Sequence, residues 1–535
     1  MASQAMALVR HSGFMSVRPT LAVLVALLVG VGCGDEQSDT GGGAHGGSAG
    51  VGGSAGSGGT AATGGTAGSG GTAGSGGTAG SGGAAGSGGM GGGGGAGGNG
   101  GMGGDGGMGG SAGIATIECD TFETLDDFDM VGGVAQHPTL ARSGNYAAAI
   151  WVERTNAYTG VVVARYDFTT ETWSPPFDVW SEATSMSPNY DVAVDVDGDV
   201  AAIWREVNSG VYELWVRIYD ASTGVWGDRE EATSDNTGQT QGHRIEYDRA
   251  SGEPMVVYLT PVSARRNAYF TRRGSTGWSP RMLLENHDAD HLNTSMDFVA
   301  NDVGQALFTY SIDVGGTTPT FYTLPYDNGD FRRDGSNALD ALSFTTDTIF
   351  SGFPETDLSN SGDAMILIDD SIVTERELLG VTVDIDLGSI GAPAIVHEVE
   401  SPTTFSAGDT AINDSGVAVA TWSQTVQTGG QDRRPWASIY SGTWSTPREV
   451  GTSSVGAFGM KTDIDNNGVA TVVWASGFNG VVATRNTGPG GAFLPQQEIS
   501  GTIIAGGPIQ VVAHDSGDFL TVWQESVDIR AVRCR

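Results

Sequence analysis

The segment Asp463-Ile-Asp465-Asn-Asn467-Gly468 places oxygen-bearing side chains at alternate positions of a sharp turn. Alternating carboxylate and carboxamide oxygens are what a hard cation such as Ca2+ requires at the opening of a binding loop. The twelfth position of such a loop supplies a further acidic ligand, and here that position is Trp474. The competing reading is a hairpin turn held by its own aspartate. A second cluster, His287, Asp288, Asp290 and His291, packs two imidazoles and two carboxylates into five residues. Those are zinc donors by type, but the stretch has no period that would bring them to one side, and it reads as a solvated loop.

Other chemistry-bearing residues recur. Trp151, Trp204, Trp422, Trp474 and Trp523 each end an apolar run. They either form a ring of stacking platforms for sugars or pack one repeat against the next, because an indole buries a large area. Arg165, Arg217, Arg272, Arg485 and Arg533 recur a strand later, and recurrence in register favours a structural role. Glu153, Glu206 and Glu525 follow their tryptophans by two residues. A glycosidase needs two carboxylates at a set separation, which spacing along the chain does not establish. The sequence holds no phosphate-binding loop and no paired-histidine metalloprotease helix.

These residues hang on a repeat. Gly144, Gly198, Gly252, Gly304, Gly362, Gly416, Gly468 and Gly517 are separated by 54, 54, 52, 58, 54, 52 and 49 residues. An aromatic follows six residues later at Trp204, Tyr258, Tyr310, Trp422, Trp474 and Trp523; the first repeat has Trp151 at +7 and the fifth Ile368 at +6. In the second repeat, Asp191–Asp195 and Asp199–Trp204 flank an Asp/Gly turn, which signals a β-hairpin. Glu213–Tyr219 and Val225-Trp226 make a second hairpin. Each unit is therefore four strands. The second strand is apolar at both parities, as in Val469–Trp474, so both its faces are covered. Four-stranded sheets stacked face to face in a ring satisfy this. The expected fold is an all-β β-propeller of eight four-stranded blades, with seven as the alternative because the fifth repeat is degenerate.

The eighth repeat stops after its third strand, near Cys534. The missing strand is expected from Ile117–Leu125, which includes Cys119. Adjacent strands lie about 4.8 Å apart and a disulfide tolerates Cα separations of roughly 4.4–6.8 Å. A Cys119–Cys534 disulfide closing the ring is the expectation, in the oxidising compartment of an exported protein.

Residues 41–113 hold 41 of the 86 glycines. Such a composition offers almost no apolar surface to offset chain entropy. Residues 33–113 read as a tether, with an expected reach of roughly 50 Å from 5–6 Å × √n, and 114–535 as the folded domain. The chain carries 62 acidic and 26 basic residues, a net charge of −36. That field argues against nucleic acid and anionic lipid surfaces as partners.

The pattern Asp-Val-Ala-Val-Asp-x-Asp-Gly-x-x-Ala-x-x-Trp, followed by a Tyr-Asp…Gly-x-Trp hairpin, resembles a repeat of bacterial surface proteins and covers nearly all of 135–535. It is more distantly similar to the sialidase-like propeller superfamily. The sialidase Asp-box places its aromatic three residues after the glycine, against six here, so the resemblance carries over no catalytic residue. The N-terminus resembles a bacterial lipoprotein signal. Arg10 and Arg18 precede the apolar run Leu21–Val29, and Gly30-Val31-Gly32-Cys33 looks like a lipobox, with Gly30 where a large aliphatic is usual. The resemblance implies a signal peptide over 1–32, lipidation at Cys33 and, with Gly34 next, the outer membrane. The expected function is a membrane-tethered extracytoplasmic module that binds a glycan or protein. The alternatives are a sialidase-like glycoside-active enzyme and a purely structural envelope protein. An enzyme would show one non-repeated cluster of carboxylates and arginines in the central channel, with the irregular fourth and fifth repeats and the insertion Asn337–Gly352 as the place to look; a multivalent lectin would repeat its site in every blade.

Overall fold

The computed structural model describes residues 116–535, apart from 127–132, 156–157, 183–188, 209, 234–241, 263–264, 286–290, 314–318, 334–338, 347–349, 352–353, 372–374, 401–402, 426–431, 453–455, 478–479 and 501–507. The segment expected to be a signal peptide, Cys33, the Gly-rich segment expected to be a tether, and His287, Asp288 and Asp290 lie outside the described residues, as does the side chain of His291.

Eight antiparallel sheets form eight blades of a β-propeller. Their first strands touch one another in sequence order, and the first strand of blade 8 (Ile509–Ala513) returns to that of blade 1 (Val134–Ser143), so the ring closes around an axis. Among the described residues every element of the sheets is a strand. Each seam between blades has its own apolar core: Trp151, Val162 and Leu520 join blades 8 and 1, for example, and Phe270, Phe298 and Tyr326 join blades 3 and 4. Stability therefore accumulates seam by seam, as in other repeat proteins.

All eight repeat glycines stand in the turn between first and second strands with positive φ, from 51° at Gly144 to 93° at Gly304. That region is open to glycine and strained for other residues, which is why the glycine recurs. Side chains fix the same turn. Asp195 Oδ1 accepts the N–H groups of Asp197 (3.0 Å) and Asp199 (2.9 Å), and Asn413 Oδ1 accepts those of Ser415 and Val417.

The outer strand differs from the single short strand expected. In blades 1 to 5 it is two pieces, such as Thr172–Trp173 and Phe177–Glu182, both paired with the third strand Thr159–Asp167. Pro175 and Pro176 fall between the two pieces, and prolines recur there in blades 3 and 5 at Pro280 and Pro393. Proline has no N–H for a ladder, so it sits on edges, where it also discourages pairing with other chains.

Blade 8 takes its outer strand from the start of the domain: Glu123–Asp126 pairs antiparallel with Asp528–Cys534. Just outside that pairing, Cys119 and Cys534 form a disulfide with S–S 1.99 Å, and Glu118 and Arg535 exchange two backbone hydrogen bonds of 3.0 and 2.8 Å. Arg533 is 95 % buried at its side chain and reaches Asp518 at 3.2 Å and Glu171 of blade 1. The two ends of the ring are thus joined by pairing, covalent bond and charge.

Candidate functional site

The recurrent tryptophans do not form a binding ring. Trp151, Trp204, Trp422 and Trp474 are fully buried and Trp523 is 1 % exposed. A buried indole presents no face to a sugar, so these residues are inter-blade packing. Glu206 accepts the Trp204 indole N–H at 2.7 Å, so that glutamate caps a buried donor. Glu525 is held instead by Arg530 at 2.8 Å. The third-strand arginines are structural as well. Arg165 and Arg485 stack on Tyr219 and Phe519 of the following blade, Arg217 on Phe177 of the preceding one. Arg272 pairs with Asp248, and Arg533 with Asp518.

The calcium-like turn is built as a hairpin. Asp465 Oδ1 accepts the N–H groups of Asn467 (2.9 Å) and Val469 (2.8 Å), while Asp463 Oδ2 accepts Ala513 N–H at 2.6 Å in the next blade. Asp463 is thus engaged across the seam and Asp465 within its own turn, and Asn467 turns its amide to the Asp515 carbonyl. Among the described residues no three His, Cys, Asp or Glu side chains are placed to hold a metal.

The structure instead assembles a site on the axis. In each first strand, one residue pairs with the residue just before the recurrent aromatic, or before Ile368 in blade 5. Around the ring these are Thr139, Asp191, Arg244, Asp297, Glu355, Asp409, Lys461 and Gln510. Adjacent members meet: Arg244 lies 3.7 Å from Asp297, and Lys461 lies 3.4 Å from Asp409. Lys461 also comes within 3.8 Å of Glu355, two blades away, a contact that only the axis allows. The Arg244 side chain is 47 % exposed, so the ring opens to water while being walled by protein. Its two cations stand on blades 3 and 7, opposite each other. Carboxylates fill blades 2, 4, 5 and 6, and blades 8 and 1 contribute uncharged Gln510 and Thr139.

Two residues further along the same strand face lies a second level, with Glu246, Asp357 and Asp463 among small apolar residues. The carboxylates double as clamps. Asp191, Asp297, Asp357, Asp409 and Asp463 each accept a backbone N–H of the following blade, from Ile245, Thr356, Ile412, Thr462 and Ala513 respectively. Burial among like charges penalises their ionised forms. Asp297 is raised to about 6 by burial against the pull of Arg244. Asp357 is raised to about 7 by burial and the nearby Asp463. Asp409 also rises to about 7 through burial although Lys461 opposes it, and Asp463 reaches about 6. Burial opposes the Lys461 charge, but Asp409 and Glu355 hold it protonated.

The far end of the axis is stoppered. Ser143 of blade 1 donates to Asp302 of blade 4 at 2.6 Å, and the buried Arg249 of blade 3 pairs with Asp302 at 3.0 Å and with Ser143. From Asp302 a relay runs around the turn tips: the N–H of Asp302 donates to Asn360, Asn360 to Asp414, Asp414 to Asn466 and Asn466 to Asp515. Side chains therefore cross the axis at the turn-tip end, and the water-accessible side of the ring, its mouth, faces away from that end.

Sequence reasoning placed a non-repeated cluster at repeats four and five. Asp297 and Glu355 do come from those blades, but the cations come from blades 3 and 7. The described part of the insertion is divided between two blades: Leu342–Thr345 is on the outer edge of blade 4, and Phe350–Ser351 pairs with Asp370–Ser371 of blade 5.

No family model and no curated sequence matches the chain. Among solved structures, the Dos1 propeller aligns with TM-score 0.45 at 10 % identity over 78 % of this chain and 95 % of its own. The polysaccharide lyase Uly1 aligns with TM-score 0.40 at 8 % identity over 75 % of this chain and 89 % of its own. The Hadza microbial sialidase Hz136 gives 0.34 at 10 % identity over 61 % and 71 %. The neighbours are propellers that include glycan-active enzymes, and likeness at this level says nothing about the activity of this one.

Proposed function

We propose that the protein is an exported binding module, lipid-anchored through Cys33 and tethered by residues 33–113, that receives a glycan at the mouth of its axial pocket. The observation that supports this is the ring Asp191–Arg244–Asp297–Glu355–Asp409–Lys461. It is water-accessible at Arg244 and does not repeat one residue type from blade to blade, with cations only in blades 3 and 7, so it supports one site per propeller. A glycan array probed with the intact protein tests the reading. Binding that is lost in an Arg244→Ala/Lys461→Ala variant of unchanged thermal stability supports it. A blank array, or binding indifferent to that variant, overturns it. The anchor is tested separately: labelled palmitate that still enters a Cys33→Ala variant sinks the lipoprotein reading.

One observation favours a glycoside-active enzyme as second reading. Asp409 and Glu355 both contact Lys461, and burial pushes Asp409 toward neutrality. A carboxyl raised toward neutral pH beside a second carboxylate is the raw material of an acid–base pair. Release of reducing ends from any bound glycan, abolished by Asp409→Asn, distinguishes the enzyme from a binder.

A further inference from the structure

We infer that the seam between blades 1 and 2 binds a single hexuronate residue, its carboxylate received by Arg165. This site is separate from the axis and does not depend on the reading of the axis as a glycan site.

The first support is a motif left incomplete. Three seams set a third-strand arginine against the tyrosine of a Tyr-Asp pair on the next blade: Arg533 against Tyr166, Arg165 against Tyr219 and Arg272 against Tyr326. In two of them a carboxylate completes the group. Asp248 accepts from Arg272 at 2.9 Å and from the Tyr326 hydroxyl at 3.0 Å. Asp518 lies 3.2 Å from Arg533, and Glu171 pairs with it as well. Arg165 has its tyrosine, with the guanidinium carbon 3.5 Å from the Tyr219 ring centre, but forms no ion pair among the described residues. The strand register gives the reason. The place that Asp248 holds opposite Glu253 in blade 3 is held in blade 1 by Ser143, opposite Tyr146. Ser143 is committed to Asp302 across the axis. Enclosure in the seam works against the Arg165 charge. A guanidinium keeps its proton nonetheless, and a carboxylate that meets its planar fork with two oxygens is its best-matched partner.

The second support is space at the same place. A cavity of about 220 Å³ opens there, walled by Tyr146, Arg165, Asp167, Thr170, Thr172 and Gly198 among others. The Tyr146 ring lies so close to blade 2 that a Cβ on Gly198 would come within 3.0 Å of it. The volume falls below the roughly 300–1,000 Å³ of sites for drug-sized molecules, which leaves room for one sugar ring.

The third support is the chemistry of the remaining wall. Asp167 Oδ1 caps its own turn, accepting the N–H groups of Thr169 at 2.7 Å and Thr170 at 3.4 Å, and Oδ2 is left to accept a sugar hydroxyl. The Thr170 and Thr172 hydroxyls bond each other at 2.9 Å, so one of the two O–H groups remains to donate. A cation, an acceptor, a donor and an aromatic wall match a ring that carries one carboxylate and several hydroxyls. A polyanion suits the site less well, because the net charge of −36 repels it at long range.

The test titrates the intact protein at pH 7, by calorimetry, with methyl glucuronide, methyl glucoside and acetate. Methyl glucuronide should bind at least about tenfold tighter than either of the others, since only it offers both the carboxylate and the ring. Two variants read the site. Arg165→Met removes the cation, and Thr172→Glu hangs a carboxylate at the exposed rim of the cavity, where it takes the place of the ligand's own. Each should weaken glucuronide binding by at least about tenfold, and Thr172→Glu should not lower the melting temperature, so it decides the matter even where Arg165→Met fails to fold. Glucuronide bound no tighter than glucoside, or no binding of any probe, overturns the inference. Acetate bound as tightly as glucuronide overturns the sugar assignment. Glucuronide binding that survives Thr172→Glu but is lost in Arg244→Ala/Lys461→Ala lies on the axis, which overturns the seam and supports the axial reading.

Discussion

Residue by residue, the recurrent aromatic and the axial residue opposite its neighbour have opposite fates. Trp474 lies in the seam between blades 6 and 7 with Ala437, Val450 and Met460 around it. Emptying such a site removes transfer energy and leaves a cavity. Trp474→Ala should therefore cost about 3–5 kcal/mol, read as a lower denaturation midpoint at unchanged slope. A loss under 1 kcal/mol would mean the indole is not packing as described. Lys461, adjacent in the pairing pattern, is only partly enclosed and holds two carboxylates. Lys461→Met should leave Glu355 and Asp409 facing each other without a cation and push the Asp409 carboxyl further up, which carboxyl NMR titration would show. An Asp409 titration left in place would refute the triad.

Among the elements, the first strands and their turns carry two rings. The axial carboxylates impose a pH dependence whose sign is fixed. Asp297, Asp357, Asp409 and Asp463 titrate at about 6 to 7 in the folded protein against an ordinary value of 3.8. Between those limits the folded state holds protons that the unfolded chain has released, so their stabilising contribution is complete below about pH 4 and is lost as pH rises through 6 to 7. The melting temperature should rise as pH is lowered from 8 to 5, and Asp357→Asn should stabilise at pH 8 while changing little at pH 5. A melting temperature that falls over this range for the native protein contradicts the assignment. The turn-tip ring shows a different economy of charge. Its members alternate Asp302, Asn360, Asp414, Asn466 and Asp515, so no two neighbours are both carboxylates. Asn466→Asp would set a carboxylate against Asp515, where the Asn466 amide now donates at 3.2 Å. The expected loss is roughly 1–3 kcal/mol, shrinking in high salt or at pH 3.

For the whole molecule, the architecture was legible in the sequence and the site was not. The glycines announce the blades because each turn demands a positive φ, and a backbone demand leaves the same residue type in every copy. The axial position makes no such demand: Thr139, Asp191, Arg244 and Lys461 occupy equivalent places with no shared chemistry. Counting from the glycine also misleads, since blade 3 has a longer turn. Arg244 stands eight residues before Gly252 whereas Asp191 stands seven before Gly198, and only the strand register aligns them. For the recurrent tryptophans the sequence offered both a binding platform and packing between repeats, and burial shows packing. Closure is a property of the whole ring as well. The Cys119–Cys534 bond spans 415 residues of chain. Restriction of the unfolded chain by such a bond is worth about 2–5 kcal/mol, so Cys119→Ser/Cys534→Ser should unfold at lower denaturant with blade 8 exchanging its amide protons first. Unchanged protection in Asp528–Cys534 would show that strand pairing alone closes the ring.

The position of that bond has a mechanical consequence. Cys119 precedes the four-residue strand Glu123–Asp126 that it secures. Tension entering through the chain before Cys119 passes into Cys534 and the three-stranded body of blade 8, and the short strand behind it carries no load. With the bond reduced, the same tension peels Glu123–Asp126 one hydrogen bond at a time, the direction in which a β-ladder is weakest. In force spectroscopy the oxidised protein should yield in a single high-force event, and the reduced protein should first show a short, low-force extension as the ring unzips at blade 8.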